Sequence, residues 1–121
     1  MPTTLPPYQL EQAGSLVTAR IEAGSLSGTV ATELAMDIRD RMRNDGARNV
    51  VIDLGRVEYM DSACVGSLVE LLQDLEHVHG RIALASCQPN VEFLFKVTRL
   101  DHVFRLCESV EEAAAEASNE H

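Results

Sequence analysis

Apolar residues recur along this chain in two different rhythms. From Leu16 to Glu22 they alternate, with Val17, Ala19 and Ile21 on one face and Thr18, Arg20 and Glu22 on the other. That period of two predicts a strand with one buried face. Tyr8 to Glu11 reads as a short edge strand before it, and Gly14-Ser15 as the turn, so a hairpin is expected at the start. Gly24-Ser25-Leu26-Ser27-Gly28 breaks the pattern and reads as a loop, with Ser27 or Thr29 as the cap of a following helix. The rhythm then lengthens to four. Val30, Leu34, Ile38 and Met42 share a helical face, and the helix should stop near Gly46.

The next stretch, Val50-Val51-Ile52-Asp53-Leu54, is apolar and β-branched and predicts a strand buried on both faces. After Asp61-Ser62 the pattern is helical again, with Val65, Leu68, Val69, Leu72 and Leu75 on one face, up to Gly80. Arg81 to Cys87 is a third apolar strand. Pro89 suits the first turn of a helix that carries Val91, Leu94, Phe95 and Thr98 on one face. Val103 to Cys107 is a last short strand, and Ser109-Val110-Glu111-Glu112 has the spacing of a capping box before an alanine-rich helix. Two strands followed by α-β-α-β-α-β-α predict an α/β fold. Its mixed sheet of four to five strands has a parallel core beside an N-terminal hairpin. Residues 8–117 are expected to form one domain, with flexible ends at 1–7 and 118–121.

Composition narrows the function. An apolar content of 45% in 121 residues supports one globular domain. A net charge of -9 argues against nucleic acid and anionic membrane as partners and favours a basic protein surface. No apolar run is long enough for a bilayer, so no membrane insertion is expected. Met1 to Pro7 lacks the basic residue and apolar core of a signal peptide. Cys64, Cys87 and Cys107 make an odd count in apolar surroundings, which fits reduced thiols in a cytoplasmic protein.

Catalytic signals are sparse. The chain has no glycine-rich phosphate loop and no Gly-x-Ser-x-Gly elbow. His77 and His79 are two apart and point to different helix faces, His102 lies in a polar turn, and His121 is terminal. Neither these nor the cysteines have metal-ligand spacing, so no metal and no cofactor is expected. The junction at Asp61-Ser62 is the exception. There a strand turns into a helix, and free backbone N–H groups meet the positive end of the helix dipole. Cys64 is either a small core residue or a thiol whose thiolate the helix start favours. Ser62 is either a cap, a task Asp61 alone can perform, or an acceptor of phosphate. A phosphate would add roughly -1.5 to -2 charges without breaking the helix.

At this junction the sequence resembles the STAS domain family, which includes the bacterial anti-sigma factor antagonists. The likeness is carried by Val50 to Leu54, Val57-Glu58-Tyr59-Met60-Asp61-Ser62 and Val65-Gly66-Ser67-Leu68. His79 to Leu84, Val97 to Phe104 and Ser109 to Ala113 add to it. It extends from Tyr8 to Ala117. The resemblance implies a mixed sheet with helices packed on one side. It also implies partner switching. In that cycle the unmodified antagonist binds an anti-sigma factor that is also a serine kinase and thereby frees the sigma factor. The kinase then phosphorylates the serine after the motif aspartate, here Ser62 after Asp61, and a phosphatase resets the cycle.

Two departures stand out. Ala63 and Cys64 replace the usual serine or threonine and glycine, and Gly24-Ser25-Leu26-Ser27 replaces Gly-Glu-Leu-Asp. The expected docking face comprises Gly24, Leu26, Ser27, Asp61, Ser62, Ala63, Cys64 and Gly66, with Gly66 kept small for close approach. The leading reading is a non-enzymatic signalling protein. The alternative is an unphosphorylated STAS subunit docked on the ATPase of a phospholipid-transport ABC complex. An enzyme would need a base close to Ser62 in space, because a lone carboxylate activates a hydroxyl poorly.

Overall fold

The hydrophobic periods resolve into a mixed sheet with cover on both faces. A computed structural model describes residues 6–118. The elements run β1 (Tyr8–Ala13), β2 (Leu16–Ile21), β3 (Ser25–Leu26), α1 (Gly28–Asn44), β4 (Asn49–Asp53) and β5 (Tyr59–Met60). They continue with α2 (Ser62–His77), β6 (Arg81–Ala85), α3 (Pro89–Val97), a 3-10 turn (Leu100–His102), β7 (Arg105–Cys107) and α4 (Val110–Ser118). The main sheet has the order β1-β2-β4-β6-β7. Only β1 and β2 are antiparallel, and the other neighbours pair in parallel. Residues 1–5 and 119–121, parts of the ends expected to be flexible, lie outside the described residues. Pro7 carries the hairpin ladder one step further, since its carbonyl accepts from the Glu22 amide at 2.8 Å.

One face of the sheet holds the main core. Val17, Ala19 and Ile21 of β2, Val50 and Ile52 of β4, and Ile82 and Leu84 of β6 all point into it. Leu34 and Ile38 of α1, Leu68, Leu71 and Leu75 of α2, and Val91 and Phe95 of α3 fill it from above. Phe95 meets Phe104 edge to face, with ring centres 5.5 Å apart. The opposite face is covered by α4, whose Ala113 and Ala117 pack on Val51, Ala83, Ala85 and Cys107. The one-sided arrangement therefore holds for α1, α2 and α3 and fails for α4. The reason is the double-sided burial of β4 and β6, since apolar side chains on the second face also require cover. Alanines on both sides of that contact let helix and sheet approach closely.

Local signals set most boundaries. Ser27, rather than Thr29, caps α1, accepting from the Val30 amide at 3.3 Å. Gly46 follows α1 with a φ of 73°, a left-handed conformation suited to glycine. Ser109 caps α4 through the Glu112 amide at 3.1 Å. Two expectations shift. The last strand starts at Arg105, because Leu100–His102 form a turn and Phe104 is drawn into the core. The third strand ends at Ala85, because Ser86 takes a φ of 61° and bends the chain away.

The α2–β6 turn is under tighter steric control than any sequence signal indicates. Gly80 lies against the backbone of Arg48, and a Cβ there would sit 1.8 Å from the Arg48 carbonyl oxygen. Gly66, in the second turn of α2, has nothing within 4 Å of the same position. Gly80→Ala is therefore expected to lower stability by at least about 2 kcal/mol, since the obstacle is backbone. Gly66→Ala is expected to raise it by about 0.5–1 kcal/mol, as for any open helical glycine. Urea unfolding of the two variants beside the parent checks both signs.

Candidate partner-docking site

A short ladder that the sequence did not announce assembles the site. β3 and β5 pair in parallel, with Ser25 opposite Tyr59 and Leu26 opposite Met60. The Glu58 amide adds a bond to the Gly24 carbonyl at 2.8 Å. This pairing carries the Gly24–Gly28 segment to the side of the Asp61-Ser62 junction. Both α1 and α2 then start at the same end of the molecule and run parallel. Gly28 abuts Ala63, Thr32 shares a 3.1 Å hydrogen bond with Ser67, and Arg39 pairs with Asp74.

Asp61 ties the two helix starts together. Its Oδ1 accepts from the Cys64 amide at 2.8 Å and caps α2. Its Oδ2 accepts from the Gly28 amide at 3.2 Å, in the first turn of α1. A carboxylate at two helix N-termini meets two positive dipole ends and satisfies a donor in each. Gly28 leaves no room for a Cβ, which would fall 2.5 Å from the Ala63 Cβ. The glycine and the aspartate thus set the same close approach.

Most of the expected docking residues come together here. Gly24, Ser62, Ala63 and Gly66 are exposed, while Ser27 and Asp61 are half-buried. Two do not reach the surface. Leu26 and Cys64 turn their side chains into the core, so neither side chain can meet a partner. Cys64 stands four residues before Leu68, on the apolar face of α2, and the packing places it there. Burial pushes the Cys64 thiol up to about 12, with the neighbouring Asp61 charge acting in the same direction. Desolvation therefore outweighs the helix start that would favour a thiolate. A Cβ at Gly66 would meet nothing within 4 Å beyond its own helix backbone, so its smallness serves no packing between elements.

Ser62 is the first residue of α2, and the cap is Asp61, so the hydroxyl is not used in capping. Met36 and Tyr59, at 57% and 66% exposure, border the site and were missed from the sequence. Met36 lies two residues from both Leu34 and Ile38 and so falls off the apolar face of the helix, whereas nothing in the spacing of Tyr59 marks it as outward-facing. Histidine does not reach Ser62 among the described residues. His77, His79 and His102 lie at the end of the sheet where the parallel strands begin, and Ser62 lies where they end. Along α2 alone, His77 is about 22 Å from Ser62.

Asp61→Ala is expected to cost about 2 kcal/mol in urea unfolding because two amides lose their acceptor, and Asp61→Ser about half of that, keeping only the α2 cap. Cys64 should resist iodoacetamide at about pH 8 in the folded protein and react once unfolded, as peptide mapping would read. The raised thiol pKa also has a pH signature. The folded thiol stays protonated while the unfolded one ionises near 9, so its contribution is present below that value and is lost as the pH climbs towards 12.

Known proteins share this architecture. The chain is 29% identical over 92 residues to BtrV of Bordetella bronchiseptica, a protein assigned by name to the anti-sigma factor antagonists. That match covers 76% of this chain and 78% of BtrV. The solution structure of TM1081, from Thermotoga maritima, has a TM-score of 0.80 at 23% identity and covers 99% of this chain and 94% of its own. SpoIIAA of Bacillus has a TM-score of 0.72 in its unphosphorylated form, at 23% identity and with 90% and 94% of the two chains covered. Its phosphorylated form also has a TM-score of 0.72, at 24% identity, with 90% and 97% covered. No helix among the described residues is long and apolar enough to cross a membrane. The family model for the STAS domain matches residues 8–113, and the chain belongs to that family.

Proposed function

We propose that this protein is an anti-sigma factor antagonist that works by partner switching, with Ser62 as the residue that is phosphorylated. The observation that carries the reading is the division of labour at the start of α2. Asp61 does the capping, and Ser62 stands exposed beside it with no structural task. The unmodified face, from Gly24 to Gly28 and from Asp61 to Gly66, binds an anti-sigma factor that is also a serine kinase. The kinase moves the γ-phosphoryl group of ATP to the Ser62 oxygen, which loses its proton as ADP leaves. A phosphatase reverses the state.

The electrostatics support a switch in binding rather than in fold. A phosphate at the first residue of α2 lies at the positive end of the helix dipole, so the helix tolerates it. The same phosphate stands next to the Asp61 carboxylate and confronts a partner surface shaped for a neutral hydroxyl. SpoIIAA, which shares the fold, has been solved both with and without its phosphate. The protein itself is non-enzymatic in this reading. The Asp61 carboxylate beside Ser62 is engaged by two backbone amides, and a lone carboxylate activates a hydroxyl poorly. Its partners are proteins, and its place is the cytoplasm, where the kinase and sigma factor act.

Ser62→Asp is expected to weaken binding to the cognate anti-sigma factor at least tenfold, about 1.4 kcal/mol, with stability within about 0.5 kcal/mol of the parent. Ser62→Ala should keep the affinity. Calorimetric titration reads both. Equal affinity for the Asp and parent forms would remove the switch. Intact-mass analysis of protein from its native cells should find one phosphate, on Ser62. Its absence in both growth and stress would leave the same face as a permanent docking surface, such as one for a transport ATPase.

A further inference from the structure

The segments that form the docking face carry charge of one sign only. Residues 24–38 and 57–76 contain no lysine, arginine or histidine. Glu33, Asp37, Glu58 and Glu70 are exposed within them. Farther along, the basic residues of α1 are already engaged: Arg39 with Asp74, Arg43 with Asp40, and Arg41 with the Gln12 side chain. Glu33, Glu58 and Glu70 have no ion-pair partner among the described residues. On a chain with a net charge of -9, this is a concentrated acidic field rather than a mixed surface.

At the edge of that field, one turn before the Arg39 that pairs with Asp74, stands an apolar side chain. Met36 is 57% exposed. It lies one turn beyond Thr32, and Thr32 touches Ser67 of α2 at 3.1 Å. One turn beyond Ser67, Glu70 occupies the facing row, and Glu33 lies one turn before Met36 on α1. Gly66 leaves a bare ledge between these rows and Ser62, with nothing within 4 Å of its Cβ position. Methionine is flexible and polarisable and fits irregular apolar sockets.

We infer that the outer face of α1 and α2 docks a basic protein surface, with Met36 as the apolar anchor and Glu33 and Glu70 as the acidic rim. The inference rests on the docking reading above and extends it. The interface is not confined to the junction but runs onto the first helix, and the partner's complementary patch is cationic around an apolar socket. The one-sign field steers the encounter over about 8 Å at physiological salt, and the methionine, once covered by the partner, sets the residence time.

The probe is a synthetic amphipathic helix with a leucine stripe and lysines elsewhere, beside a control in which serine replaces leucine at the same charge. Amide chemical shifts of the isotope-labelled protein report where each binds. The leucine peptide is expected to bind at least about fivefold more tightly than the serine control, with shifts confined to Thr32, Glu33, Met36, Gly66 and Glu70. Met36→Ser should erase the advantage of the leucine peptide. Glu33→Lys with Glu70→Lys should weaken both peptides and flatten their salt dependence. All three positions are exposed, and thermal unfolding of each variant confirms that the fold is kept. Equal binding of the two peptides, shifts scattered over all acidic residues, or shifts centred on the exposed Phe93 and Val97 of α3 would each overturn the inference. Peptide binding on this face without phosphate ever appearing on Ser62 would keep the surface and remove the switch. Phosphate on Ser62 without localised peptide contact would do the reverse.

Discussion

The carboxylate of Asp61 holds two helices to one point. It accepts one amide from the start of α2 and one from the start of α1. Each helix begins with backbone donors that have no partner of their own, and a shared anion satisfies one in each while meeting both dipoles. The parallel packing of α1 on α2 propagates from that point, through Gly28 on Ala63, Thr32 on Ser67 and Arg39 on Asp74. The loop from Gly24 and the junction at Ser62 become one surface because both are anchored by the same side chain and by the β3–β5 ladder.

This arrangement divides the junction between residues that hold the fold and one that does not. The cap, the core residue and the exposed hydroxyl are close neighbours in sequence, at Asp61, Cys64 and Ser62. Asp61 secures the helices, and Cys64 fills the core beneath them as a protonated thiol. Ser62 is left outside. A charge added to Ser62 changes what the surface presents and leaves the cap bonds in place.

The sheet explains the departure from a one-sided architecture. β4 and β6 are buried along nearly their whole length, which their unbroken apolar runs already indicated. A strand buried on both faces demands a second layer, and the alanine-rich α4 supplies it against Val51, Ala83 and Ala85. The loss of helix-start influence at Cys64 has the same origin. Packing removes the thiol from water, and desolvation then dominates its acidity.

Periodicity alone determined the strands and helices of the main sheet, their parallel order, and the position of the junction between a buried strand and an amphipathic helix. Those features are local: they depend on which side chains repeat at two or at about four residues, and on which residues cap or stop a helix. Asp61, Ser62 and the capping serines were legible for that reason. What only the tertiary structure decided is non-local. The two-residue strands β3 and β5 are too short for a period, Leu26 points inward, Tyr59 points outward, and α4 lies on the far face. Gly80 looked like an ordinary helix stop, yet its smallness is imposed by the Arg48 carbonyl from a segment far away in the chain. Such facts follow from which surfaces meet once the chain is compact, and no repeat along the sequence encodes that meeting.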